Sequence, residues 1–172
     1  MARIYISVGS NIEAALNIRS AITALRQYYG ELILSRVFES EAVGFSGDNF
    51  YNLVVGFDSN NTLPQVAAML RQIEDEHARD RQGPRFSART IDLDLLLYDN
   101  VVDNSNGLNV PRDEIIENAF VLQPLAEVAG SLIHPLLQQT MGELWQDFDQ
   151  QRQQLWPIEF EWSGKNGPLN AP

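Results

Sequence analysis

The chain has 172 residues, of which 44% are hydrophobic and 20% are charged, and these proportions are typical of one globular domain with a substantial core. It contains no cysteine, which excludes disulfide and thiolate chemistry. A formal net charge of −11 disfavours nucleic acid or an anionic membrane as a partner, unless basic residues cluster locally. Because no apolar run reaches the ~18 residues of a membrane span and no signal peptide is recognisable, we expect a cytoplasmic protein.

Apolar residues with alternating or helical spacing predict six regular elements in the first hundred residues. In chain order they are a strand over 3–8, a helix over 14–29, strands over 32–38 and 50–57, a helix beginning at Thr62, and a strand over 90–98. A turn over 9–11 is predicted to follow the first strand. The third strand is apolar on both faces and is therefore predicted to be central. Residues 39–49 are rich in polar residues and glycine, which indicates an exposed loop.

This order of strands and helices matches the β-α-β-β-α-β ferredoxin-like unit. Further helices are predicted over 113–129, with an interruption near Pro124, and over 140–148. We therefore expect one α+β domain over residues 1–160, with an antiparallel sheet covered by helices on one face. A tail over 161–172, rich in Gly, Pro and Asn, is predicted to be loosely ordered.

Two aspartates stand two positions apart on the predicted fourth strand. Side chains alternate along a strand, so Asp92 and Asp94 are expected on one face, with Cα atoms about 6–7 Å apart. Mg²⁺ prefers oxygen ligands and is usually held by one or two carboxylates together with substrate phosphates. The pair therefore indicates a site for one or two magnesium ions. Two acids that simply face solvent are the alternative interpretation.

Positive charge is concentrated in one short segment of this acidic chain. Five of the 12 basic residues lie there: Arg71, Arg79, Arg81, Arg85 and Arg89. Cationic groups of this kind stabilise the charge that spreads over phosphoryl oxygens during phosphoryl transfer. The cluster therefore favours a small phosphorylated ligand, although a solvated basic loop balanced by nearby acids is the alternative. The chain has no Walker or Rossmann glycine motif, so any ATP that binds is not held by a P-loop or a Rossmann turn.

Several short motifs occur in the order of a known enzyme family. They are VGSN at 8–11, FYNL at 50–53, IE at 73–74, RTIDLDLLLY at 89–98, VP at 110–111 and AFVLQPLAE at 119–127. With these motifs, residues 3–135 strongly resemble the 6-hydroxymethyl-7,8-dihydropterin pyrophosphokinases of folate biosynthesis. The resemblance implies a ferredoxin-like monomer that transfers the β,γ-pyrophosphate of ATP to the pterin hydroxymethyl group and releases AMP.

The resemblance also implies roles for individual residues. Asp92 and Asp94 would hold two Mg²⁺ ions, and Arg79 and Arg89 would act with them as catalytic residues that contact the phosphates. The expected nucleotide site comprises Glu74, Arg81, Arg89, Leu95 and Arg112. The expected pterin site comprises Ser40, Val43, Phe50, Asn52 and Phe120. In it, the two phenylalanines would stack on the ring and the Asn52 carboxamide would bind the amide edge. Plain core packing is the alternative for both phenylalanines.

The chain departs from the family pattern at several positions, and two of these departures change the charge. Arg112-Asp113 stands where family members often carry a His-Pro or His-Tyr dipeptide, and Asn118 stands where they often carry arginine. Arg112 can bind phosphate by a fork, whereas Asn118 carries no charge. Three interpretations therefore remain: an active pyrophosphokinase, a paralogue that binds pterin or nucleotide without turnover, and a ferredoxin-like interaction domain with incidental acids. The intact pair of aspartates and Asn52 favour the first interpretation.

Overall fold

The computed structural model describes residues 1–42, 47–78 and 90–162. In this part of the chain, six strands form one antiparallel sheet and five helices pack against it. In chain order the elements are β1 (Ala2–Ser10), α1 (Ala14–Tyr29), β2 (Ile33–Leu34), β3 (Val37–Ser40), β4 (Phe50–Ser59), α2 (Leu63–Ala78), β5 (Asp92–Tyr98), α3 (Glu114–Glu117), α4 (Ala119–Ala129), α5 (Met141–Asp147) and β6 (Leu155–Ile158). No described helix combines the length and hydropathy needed to cross a bilayer.

The sheet has the strand order β5-β1-β4-β3-β6, and β2 also pairs with β4. All of these pairings are antiparallel. The strands predicted as fourth, first, third and second therefore lie side by side, as expected when two β-α-β units interleave in one sheet. The predicted α+β, ferredoxin-like fold is confirmed, and so is the central position of the third predicted strand, which is β4.

Helices cover both faces of the sheet, whereas the sequence predicted cover on one face. On the first face, α1 and α2 pack against alternate residues of the central strands, including Ile6 and Val55. On the second face, α4 packs against Tyr5 and Val54, with α3 and α5 beside it. The expectation was wrong because β1 and β4 are apolar on both faces, so each face needs a covering layer. At one end of the second face the sheet carries polar side chains instead.

The predicted second strand is two short strands with an interruption between them. Ser35 lies in the interruption, where its hydroxyl accepts a hydrogen bond from the N–H of Val54 at 2.9 Å. The next N–H, that of Arg36, donates to Oε1 of Glu127 in α4 at 2.8 Å. Two backbone N–H groups at this interruption thus donate to side-chain oxygens and not to backbone carbonyls of a neighbouring strand. After the interruption β3 continues to Ser40, so the predicted exposed loop begins later than expected.

The predicted helix over 113–129 breaks at Asn118 and not near Pro124. Asn118 has an extended backbone, with φ −123° and ψ 122°, and separates α3 from α4. Pro124 lies inside α4, where its missing N–H removes one hydrogen bond without ending the helix. The break therefore falls directly before Phe120, a predicted pterin contact.

The strand β6 was not predicted. It pairs with β3, with Leu155 opposite Ser40 and Ile158 opposite Val37. Beyond it, Phe160 and Trp162 pack against the core that α1 and α2 share with the sheet. Most of the predicted tail, residues 163–172, lies outside the described residues, so its loose order stays a prediction.

Candidate active site

The register of the sheet aligns polar residues of three strands. Gly9 in β1 lies opposite Asp92 in β5 and opposite Asn52 in β4, and Ser7 lies opposite Asp94. Residues directly opposite each other in antiparallel strands project from the same face. Asp92, Asp94 and Asn52 therefore share the second face of the sheet, beyond the end that α4 covers.

A cleft of about 920 Å³ lies over these residues. Four of the residues predicted to bind the pterin line it: Ser40, Phe50, Asn52 and Phe120. They come from β3, β4 and the first turn of α4, so three separate elements bring them together. Val43, the fifth predicted contact, lies outside the described residues. Both aspartates also line this cleft.

Asn52 is buried on the floor of the cleft, with 6% of its surface exposed. A Cβ placed on Gly9 would lie only 2.5 Å from Oδ1 of Asn52, so only glycine leaves room for the carboxamide. The sequence predicted Gly9 as part of a turn, but β1 continues to Ser10 and Gly9 is a strand residue. Its role in shaping the site was missed, although the VGSN motif contained the signal.

A second, smaller cleft of about 170 Å³ lies at the edge strand β5. The described residues that were predicted to bind nucleotide all line it: Glu74 from α2, Leu95 from β5, and Arg112. Arg79, Arg81 and Arg89 lie outside the described residues, so their predicted phosphate contacts stay predictions. Asp94 lines both clefts and therefore marks the border between them.

Arg112 supplies positive charge at this border. Its Nη2 lies 3.5 Å from Oδ1 of Asp94, and its Nε donates a hydrogen bond to Oε2 of Glu114. Its backbone N–H donates to the carbonyl of Leu96 at 3.0 Å, which anchors the residue to β5. Partial burial lowers the pKa of Arg112, but the hydrogen bond that Arg112 donates to Glu114 and the negative charges of Asp94, Glu114 and Asp92 outweigh this effect, so the pKa is raised overall.

Glu74 is the second carboxylate of the smaller cleft, beside Asp94. Its Oε2 accepts a hydrogen bond from the N–H of Leu93 at 3.0 Å, between the two aspartates in sequence. Burial raises the pKa of Glu74 to about 7, against the opposing effect of that hydrogen bond, and the charges of Asp92 and Asp94 add to the rise. Glu74 thus ties α2 to the strand that carries the aspartates.

The two aspartates fit a magnesium ion by the chemistry of their donor atoms. Both present carboxylate oxygens to the same cleft, and both are only half-buried. The guanidinium of Arg112 already lies 3.5 Å from Oδ1 of Asp94, so this carboxylate has a cationic partner in the structure. Among the described residues no group of three His, Cys, Asp or Glu side chains could hold a metal. Two carboxylates together with substrate phosphates are the usual environment of Mg²⁺.

Comparison with known proteins identifies the family. The family model for 7,8-dihydro-6-hydroxymethylpterin-pyrophosphokinase matches residues 5–130. The chain belongs to this family. Its similarity to the 2-amino-4-hydroxy-6-hydroxymethyldihydropteridine pyrophosphokinase of Aquifex aeolicus is 30% identity over 145 residues, which is 83% of this chain and 90% of the relative. The Bacillus subtilis protein of the same name is 33% identical over 128 residues, 72% of this chain and 76% of the relative.

Longer proteins contain the same domain. The folic acid synthesis protein fol1 of Pneumocystis carinii is 32% identical over 77% of this chain, which spans only 18% of that protein. A solved structure of Plasmodium falciparum HPPK-DHPS superimposes with a TM-score of 0.66 at 14% identity, over 85% of this chain and 43% of the solved chain. At that identity the superposition supports the fold alone.

Family membership confirms the predicted enzyme class, a pyrophosphokinase-type transferase of folate biosynthesis. It also confirms the resemblance found in the sequence motifs. The roles of the individual site residues stay predictions, and their positions in the two clefts are the structural basis for the proposal below.

Proposed function

We propose that this chain transfers the pyrophosphoryl group of ATP to the hydroxymethyl group of 6-hydroxymethyl-7,8-dihydropterin, in a reaction that requires Mg²⁺. The observation that carries the proposal is the position of Asp94. It lies between a cleft lined by the predicted pterin contacts and a cleft lined by the predicted nucleotide contacts. A metal-binding carboxylate is needed where the two substrates meet, because charge develops there during transfer.

In the larger cleft, Asn52 would recognise the pterin. A carboxamide can donate and accept hydrogen bonds at once, which suits the amide edge of a pterin ring. The buried position of Asn52 against Gly9 limits the orientations that its side chain can adopt. Phe50 and Phe120 present aromatic surface to the same cleft, where a flat heteroaromatic ring would gain from stacking.

At the border between the clefts, Asp92 and Asp94 would hold the magnesium ions, of which we expect two. Bound Mg²⁺ would neutralise phosphate charge and polarise the phosphoryl group. Arg112 lies on the nucleotide side of Asp94 and would exchange its carboxylate partner for a phosphate oxygen, since the guanidinium fork suits both. The pterin hydroxyl would then lose its proton to water, and its oxygen would form a bond to the β-phosphorus while the bond from that phosphorus to the α-phosphate oxygen breaks, releasing AMP.

The test is AMP formation by the purified protein, measured by ³¹P NMR with ATP, hydroxymethyldihydropterin and Mg²⁺ present together or singly omitted. We expect AMP and pterin diphosphate in equal amounts only when all three are present. Asp94→Asn should abolish this activity, whereas Asp147→Asn should not, because Asp147 lies in α5 and lines neither cleft. Pterin binding without AMP at any magnesium concentration would instead identify a non-catalytic paralogue. A monomeric state and a cytoplasmic location also stay predictions.

A further inference from the structure

The segment that precedes β6 bridges the two helices beside the larger cleft. Gln153 lies in this segment, and its carboxamide makes three hydrogen bonds. Oε1 accepts from the N–H of Ala119 at 2.7 Å, while Nε2 donates to the carbonyl of Glu117 at 3.3 Å and to Oδ1 of Asn118 at 3.1 Å. Between 34 and 36 residues separate these partners, so the contact is tertiary and not local.

The hydrogen bond to Ala119 replaces a missing helix cap. Asn118 occupies the position before α4, but its own side chain makes no capping hydrogen bond. Ala119 is fully buried, so water does not reach its N–H, and a buried amide without an acceptor is strongly unfavourable. Gln153 provides from a distance an acceptor for the first of the N–H groups that the start of a helix leaves without an intrahelical partner.

The Gln153 carboxamide carries both a donor and an acceptor, and the break between α3 and α4 requires one of each. The last carbonyl of α3 needs a donor and the first N–H of α4 needs an acceptor, and one carboxamide satisfies both. These hydrogen bonds from Gln153 stabilise the junction between α3 and α4, which is the point where the predicted helix over 113–129 breaks. The position of the first turn of α4 therefore depends on the segment that leads into β6.

We infer that Gln153 is a positioning residue for the pterin. Asn118 and Phe120 flank Ala119 and both line the larger cleft, so fixing Ala119 fixes the place of the Phe120 ring over the sheet. Gln153 also lines the larger cleft, but its carboxamide is engaged with Ala119, Glu117 and Asn118, so it would act through these neighbours and not on the reacting atoms. The inference rests on the proposed function, because it takes the larger cleft as the pterin site.

The experiment uses two variants of equal side-chain length. Gln153→Met removes all three hydrogen bonds, and Gln153→Glu keeps only the acceptor for Ala119. Gln150→Met is the matched control, because Gln150 donates to a helix carbonyl, that of Trp145, and does not line the cleft. For each protein, the KM values for pterin and for ATP are measured separately, and hydrogen exchange of the Ala119 amide is followed by NMR.

We expect Gln153→Met, which removes all three hydrogen bonds at the junction of α3 and α4, to raise the pterin KM on the order of tenfold, with the ATP KM changed less than about twofold. The Ala119 amide should lose protection. Gln153→Glu should keep that protection and show a smaller rise in pterin KM. If the Met variant fails to fold, the pterin KM of Gln153→Glu tests the inference without it. The inference is overturned if a folded variant leaves the pterin KM unchanged, or if both KM values rise in parallel. Absence of turnover in the unmodified protein would reject the proposed function instead.

Discussion

Arg112 and Asp94 form an ion pair at the border of the two clefts, with Nη2 of the arginine 3.5 Å from Oδ1 of the aspartate. The same guanidinium also contacts Glu114, so it is held between two carboxylates. This arrangement places a cation that is predicted to bind phosphate beside a predicted metal ligand. Binding of nucleotide to Arg112 would therefore take a partner from Asp94, and binding of metal to Asp94 would take a partner from Arg112.

Replacing Arg112 should weaken nucleotide binding selectively. We expect Arg112→Gln to raise the KM for ATP by about tenfold or more, since a charge-assisted hydrogen bond to phosphate is lost, and to leave the pterin KM nearly unchanged. Steady-state kinetics with each substrate varied in turn measures both values. Arg36→Gln is the control, because Arg36 pairs with Glu127 at 3.0 Å and lines neither cleft. An unchanged ATP KM would remove Arg112 from the nucleotide site.

Removing the Asp94 carboxylate should abolish turnover at little cost in stability. Asp94→Asn loses one half-exposed ion pair, and such pairs contribute about 0–1 kcal/mol to the free energy of unfolding. Arg112 keeps its contact with Glu114, and the repulsion between Asp94 and Asp92 disappears. Urea denaturation measures stability, and AMP release measures activity. A large loss of stability would show that Asp94 is chiefly a structural residue.

A methyl group at Gly9 should damage pterin binding and not ATP binding. In Gly9→Ala the new Cβ would displace the Asn52 carboxamide, which lies 2.5 Å away. We expect a rise in pterin KM on the order of tenfold, because one substrate hydrogen bond is lost or distorted. Gly56→Ala serves as the control. Its Cβ would crowd the Tyr5 ring at 2.7 Å, away from both clefts, so it should lower stability while the pterin KM stays the same. Equal effects of the two variants on pterin KM would refute the assignment.

Glu74 should make the magnesium-free protein less stable as pH rises. Its pKa is about 7 in the folded chain and 4.5 in the reference state, so the folded chain binds more protons between these values. The free energy of unfolding should therefore fall from about pH 4.5 to about pH 7 and then level off with respect to this group. Glu74→Gln should reduce that fall, whereas Glu76→Gln, at an exposed position of the same helix, should not. Thermal melts across this range provide the measurement, and identical slopes for all three proteins would contradict the assigned pKa.

Much of the fold and the centre of the site follow from local patterns in the sequence. The period of a strand places Asp92 and Asp94 on one face, and both line the same cleft. Apolar periodicity located α1, α2 and the four strands of the ferredoxin-like unit. The motif resemblance predicted which residues gather in each cleft, because it carries the three-dimensional arrangement of a whole family.

The features that were missed depend on long-range contacts. The break at Asn118 is stabilised by Gln153, which lies 35 residues away, and no local pattern reveals it. The strand β6 contains Pro157, which disfavours a strand unless the strand lies at a sheet edge, as β6 does. The constraint on Gly9 arises from Asn52 across the sheet. Each of these features requires knowledge of which segments meet in the fold.

In the proposed mechanism, Asp92 and Asp94 jointly bind divalent metal between the two substrates. A crystal structure with a non-hydrolysable ATP analogue, the pterin and Mn²⁺ in place of Mg²⁺ tests it directly, because anomalous scattering locates the metal. We expect metal bound by both carboxylates, with the pterin in the larger cleft, phosphates on the side of Arg112, and the contact between Arg112 and Asp94 broken. Nucleotide and pterin bound with no metal at either aspartate would contradict the account.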